Sequence, residues 1–191
     1  MYSVISSKHN VILSRSKESR HTYRIQFALK SNTKLCPHEH VNLSLYDTLF
    51  QLNKDVFERI DVVLRDDKQS AEVVMFLKQF GKEFGLKPRF ICSEATLVNH
   101  TNNPFACIVG RSVPILDGLN VDGYDEIICN DSRLFAFWDE TQSSLIVQYD
   151  FSICQDSHDS IPETMRDFSA LLLKKVFIRM KEYKDIEIKS N

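Results

Sequence analysis

Apolar residues in this chain recur with two periods. Tyr23, Ile25, Phe27 and Leu29 alternate with Arg24, Gln26 and Ala28, the period of a half-buried strand. With Val11–Leu13 they predict a hairpin whose long polar tip runs from Ser14 to Thr22. Further strands are expected at Lys87–Cys92, Phe105–Val109, Glu126–Cys129, Arg133–Trp138 and Leu145–Phe151, the last two forming a hairpin. The period then lengthens. Leu45, Leu49, Leu52, Val56 and Ile60 step at helical spacing after Ser44, a suitable cap, with a strand expected from about Ile60. Val73, Val74, Leu77, Phe80 and Phe84 predict a second helix over 67–84, closed by Gly85.

The closing helix has the clearest start signal. Ser160-Ile161-Pro162-Glu163 reads as a capping box with proline in the first turn. Met165, Phe168, Leu172, Val176, Met180 and Tyr183 share one face to about Lys184, while Leu171 and Ile178 project to the other. The order of elements predicts a single α+β domain spanning 1–191. It should be a mainly antiparallel sheet with about three helices, one of them long and C-terminal.

Composition narrows the function classes. The 191 residues are 43% hydrophobic and 26% charged, which excludes a disordered or fibrous chain. Only five glycines weigh against a phosphate-cradling loop, and no nucleophile elbow, Walker loop or dinucleotide fingerprint occurs. No apolar run approaches the ~20 residues of a membrane span, so the expectation is a cytoplasmic protein that does not use a membrane. The cysteines at 36, 92, 107, 129 and 154 form no C-x-x-C pair, and Cys92, Cys107 and Cys129 read as core thiols. Trp138, in an apolar strand, reads as a core residue.

Charge is unevenly distributed although the net is only −2. Residues 101–160 carry a net of −8, and residues 8–34 a net of +6. The leading expectation is a non-enzymatic, macromolecule-binding protein: an inhibitor, an immunity-type protein or an accessory subunit. Its surface for a basic protein partner would comprise Asp117, Asp122, Asp125, Asp131, Asp139 and Glu140, with Leu171 and Ile178 as an apolar addition. The alternative is nucleic-acid binding, with Lys8, Arg15, Lys17, Arg20 and Arg24 contacting phosphates. The third reading is a metal-dependent hydrolase. It rests on His38 and His40, which on an extended chain would face one ion about 6.7 Å apart. No cofactor is expected, and a homodimer is a further option.

Overall fold

The structure, a computed structural model, describes residues 1–80, 82, 87–98, 105–115, 118–128, 131–153 and 163–190. It begins with a three-stranded meander: β1 (Tyr2–Lys8), β2 (Val11–Ser16) and β3 (Thr22–Lys30). His9 and Asn10 both take positive φ, the conformation a two-residue hairpin turn needs, and Lys8 pairs with Val11 across it. Two short helices follow, α1 (Pro37–His40) and α2 (Leu45–Leu52). Next come β4 (Phe57–Leu64), β5 (Ser70–Leu77), β6 (Arg89–Val98), β7 (Phe105–Ser112) and the two-residue β8 (Asp125–Glu126). The hairpin β9 (Ser132–Asp139) and β10 (Ser144–Ser152) leads to α3 (Glu163–Ser190).

Among the described residues the strands form one ten-stranded sheet in the order β1-β2-β3-β10-β9-β7-β6-β5-β4. Every neighbouring pair on that path is antiparallel; β8 adds a short parallel pairing to β6 at Arg89 and Phe90. The chain thus leaves β3 in mid-sheet, passes through α1 and α2, and restarts at the far edge with β4. The α+β class, the mainly antiparallel sheet and the long C-terminal helix are as the sequence predicts.

The 28 residues of α3 extend about 42 Å. They set Ala170, Val176, Phe177 and Met180 against the inner face of the sheet, where Val11, Leu13, Tyr23, Ile25, Phe27 and Leu29 are buried. The outer face has its own small cluster. Val74, Phe76, Phe90 and Cys92 are covered by Val113, Leu119, Val121 and Tyr124 of the segment after β7.

Two local expectations are corrected. Within the helix expected over 67–84, Ser70–Leu77 form strand β5, entered by a tight turn at Asp67, and residues 81, 83 and 84 lie outside the described residues. The Asp67 carboxylate accepts the backbone N–H groups of Gln69 (2.9 Å) and Ser70 (3.0 Å), and Lys68 takes a positive φ. Ser44 does not cap α2. Its hydroxyl donates to Asn42 Oδ1 at 2.6 Å, and Asn42 also accepts the Ser44 N–H. That helix stops at Leu52, and the following strand starts three residues before Ile60. Trp138 is half-buried on the inner face, its Nε1 donating to Glu140 Oε2 at 3.1 Å. The capping box at 160–162, Gly85, Cys129 and Cys154 lie outside the described residues.

Candidate functional site

The inner face and α3 do not close completely on one another. Between the first half of the helix and the sheet lies a cavity of about 150 Å³. Strand register explains which side chains reach it. Met75 of β5 pairs with Ile91 of β6, and Leu77 pairs with Arg89, so these four side chains share one face. All four line the cavity, as do Leu172 and Val176 from α3.

The opposite wall is aromatic. Tyr149 and Phe151 of β10 stack with centroids 5.1 Å apart, Phe151 stacks on Tyr23 at 5.6 Å, and Tyr149 stacks on Phe177 of α3 at 5.2 Å. These rings hold the wall in fixed relation to the helix. Polar groups share the lining: Lys78, Lys87 and Arg89 with the hydroxyls of Ser93 and Ser169. Lys87 reaches Asp125 at 3.3 Å. Phe168, 58% exposed, also lines the cavity and marks where it meets solvent. The lining therefore suits a molecule with an apolar body and a polar or anionic end.

Polar contacts pin α3 over the cavity at two places. Asp167 accepts the Tyr23 hydroxyl at 2.9 Å and the Arg15 guanidinium at 3.4 Å. Further along, Arg179 and Lys175 both bind Asp55, in the turn before β4. Arg179 and then Lys175 hold the Asp55 carboxyl well below the usual carboxylate range. Arg179 also donates to Asn53 Oδ1 at 3.2 Å.

Burial, together with the bond to Asp167, pushes Tyr23 up to about 12, and burial likewise pushes Tyr46 up to about 12. Both phenols prefer the neutral form in the folded chain. Their contribution is complete below the unfolded value of 10.0 and is lost as pH rises through the folded value. Denaturant titrations between pH 9 and pH 12 should therefore show stability falling above about pH 10. Tyr23→Phe should flatten part of that decline; an unchanged slope in the variant would contradict the role given to Tyr23.

The residues singled out by sequence do not converge on one site. Asp131 immediately precedes β9 and Asp139 ends it, so the two stand about 26 Å apart along the strand. Asp139 is engaged in its own turn, accepting from Thr141, and Glu140 binds Lys34 at 2.6 Å and Trp138. Asp125 pairs with Lys87, Asp122 sits in an exposed turn, and Asp117 lies outside the described residues. Leu171 and Ile178 line a separate groove on the far side of α3, together with Lys8.

Among the basic residues, Arg15 is held by Asp167. Arg24 makes a two-pronged contact with Asp150 at 2.7 and 2.9 Å, and its guanidinium lies over the Tyr2 ring. Lys17 and Arg20 are exposed near the turn between β2 and β3.

His38 and His40 fall in α1, where residues two apart point about 200° away from one another, so the shared-ion geometry of an extended chain is absent. No group of three or more metal-ligating side chains exists among the described residues. Burial lowers the His40 pKa below 6.5.

No protein-family model matches the sequence, and no curated protein sequence matches it. Solved structures do match. The human StarD13 (DLC2) lipid transfer and protein localization domain aligns with a TM-score of 0.71 at 15% identity, covering 95% of this chain and 88% of that one. Human STARD10 gives 0.71 at 13% identity, over 95% of this chain and 71% of its own. Human StAR-related lipid transfer protein 5 gives 0.65 at 8% identity, over 99% and 86%.

This chain has the fold of the StAR-related lipid transfer domains. It is the helix-grip arrangement, in which one sheet closes around a long C-terminal helix. This likeness, together with the cavity inside the grip, overturns the reading of the chain as an inhibitor, immunity-type protein or accessory subunit acting through an acidic surface. It equally overturns the nucleic-acid reading built on the 8–34 hairpin and the hydrolase reading built on His38 and His40. No helix among the described residues is long and apolar enough to cross a membrane.

The residues missed by sequence reasoning are Met75, Leu77, Arg89, Ile91 and Leu172. One signal was present: the inward face of β6 reads Arg89, Ile91, Ser93, placing a guanidinium and a hydroxyl where a filled core would want aliphatic groups.

Proposed function

We propose that the chain binds a lipid, with the apolar body of the ligand between α3 and the inner sheet face. The observation that carries this is the apolar cavity inside the grip, walled by Met75, Leu77, Ile91, Tyr149, Phe151 and Leu172. The names of the solved structures with this fold, which refer to lipid transfer, support the reading. Burying a lipid's methylenes there would yield about 0.8 kcal/mol each, with the polar end directed toward Lys78, Lys87 and Arg89.

The volume of about 150 Å³ is below the ~300–1,000 Å³ of typical small-molecule sites. A whole lipid therefore requires α3 to lift at its cavity end, where Asp167 joins it to Tyr23 and Arg15. Titration with a fluorescent long-chain fatty acid is the direct test. Saturable fluorescence gain, reversed by unlabelled long-chain lipid and not by a short-chain carboxylate of the same charge, is the expected result. No gain, or equal reversal by the short-chain acid, would remove lipid binding as the function.

A further inference from the structure

On the side of α3 away from the cavity lies a second depression of about 440 Å³, between the β1–β2 turn and the helix. It shares no lining residue with the first. One lining residue is Lys174, a lysine only 3% exposed. A lysine this deeply buried is ordinarily matched by a carboxylate, because an unmatched ammonium in a dry setting is costly. Here the Lys174 Nζ donates to the Ser6 hydroxyl at 2.9 Å and has no carboxylate partner among the described residues. A hydroxyl engages one of its three N–H groups and cancels none of its charge.

The surroundings add positive charge. Lys8 lines the same groove, and burial, with repulsion from Lys8 added, pulls the Lys174 pKa below 10.5. Lys175 and Arg179 are both occupied by Asp55, and Glu182 stands 3.4 Å from His9 Nδ1. Neither acid compensates Lys174 or Lys8. The groove is thus a cationic site, with one buried lysine, the exposed Lys8 at its edge, a serine hydroxyl and open volume.

We propose that this groove binds a phosphate-bearing anion, with Lys174 as its direct contact and Lys8 and Ser6 beside it. Two sources of that chemistry exist, a soluble phosphate compound and the headgroup of an anionic lipid. Charge-assisted hydrogen bonds to phosphate favour either one. The apolar Leu171 and Ile178 flank the site without competing for the charge.

The test uses the full chain and two probes: inorganic phosphate by calorimetric titration, and flotation with phosphatidylcholine vesicles with or without phosphatidic acid. Wild type should bind phosphate at one site. Lys174→Met should weaken that binding about tenfold or more, and Lys8→Ala by a smaller factor. Lys174→Met should keep the fold, since an apolar side chain of similar length replaces a buried charge; Lys8 is exposed, so its variant is a second, structurally mild check.

Vesicles with phosphatidic acid that float wild type but not Lys174→Met would identify the headgroup as the source. Phosphate binding without flotation would identify a soluble anion. Phosphate binding that is absent, or unchanged in both variants, would overturn the proposal, as would flotation indifferent to both. Ile91→Trp in the cavity should leave the phosphate response intact, so this site and the lipid cavity succeed or fail separately.

Discussion

Truncating Phe151 to alanine should destabilise the chain by about 3–5 kcal/mol, the cost of removing a buried aromatic side chain. A typical total stability is only about 5–15 kcal/mol, so the variant should melt many degrees lower. Phe151 is 1% exposed and stacks on both Tyr23 and Tyr149. The space it vacates cannot collapse readily, because β10 is hydrogen-bonded to β3 on one side and β9 on the other. The space also adjoins the existing cavity. Added lipid should therefore recover part of the loss, since a ligand that binds only the folded chain stabilises it by mass action. Thermal melts with and without long-chain lipid measure both effects. A variant as stable as wild type would remove Phe151 from the core, and a loss that lipid does not relieve would separate the ring from the ligand site.

The second large effect is on binding. Ile91 projects from β6 into the cavity beside Met75 and Arg89. Ile91→Trp should occupy the space that the lipid's apolar body needs. Excluding about four methylenes forfeits about 3 kcal/mol, or roughly a hundredfold in affinity. Overpacking carries its own cost of about 1–3 kcal/mol, so the melting temperature is to be read alongside the titration. A folded variant with undiminished lipid affinity would place the ligand elsewhere.

Much of the fold was legible from period alone. β3 alternates cleanly because only its inner face is buried, with Tyr23, Ile25, Phe27 and Leu29 inward and Arg24 bound to Asp150 on the other side. Most of the long helix was legible because Phe168, Leu172, Val176 and Met180 recur on one face. β5 was misread for a physical reason. Val73, Met75 and Leu77 face the core and cavity while Val74 and Phe76 face the outer cluster, so both sides are apolar and the two-residue period disappears. What remains of the pattern fits helical spacing equally well. Asp67, taken as part of that helix, is in fact a turn-former.

β1 escaped notice because it is an edge strand with a bulge between Val4 and Ser6 and little apolar signal. The cavity could not be read from the pattern. Its lining comes from β5, β6, β10 and α3, and apart from Arg89 and Ser93 on β6 and Ser169 on α3 these strand and helix faces are as apolar as those of an ordinary core. Periodicity tells which side chains point inward, whereas a cavity depends on whether they meet. The charge asymmetry, by contrast, was legible and misleading. Lys34 with Glu140 and Arg24 with Asp150 join the basic and acidic segments in local pairs, and Arg15 is taken up by Asp167 of α3, so linear charge counts do not translate into two opposed surfaces.

By the proposed function, the space between α3 and the inner sheet face holds one lipid molecule. Incubating the purified chain with phosphatidylcholine vesicles, which lack the anionic headgroup offered to the Lys174 groove, re-isolating it and recording its mass under non-denaturing conditions tests this directly. The expected species is a complex of one chain with one lipid, absent from Ile91→Trp and retained in Lys174→Met. A chain recovered at its bare mass of 22.2 kDa, or a lipid adduct that persists in Ile91→Trp, would contradict it.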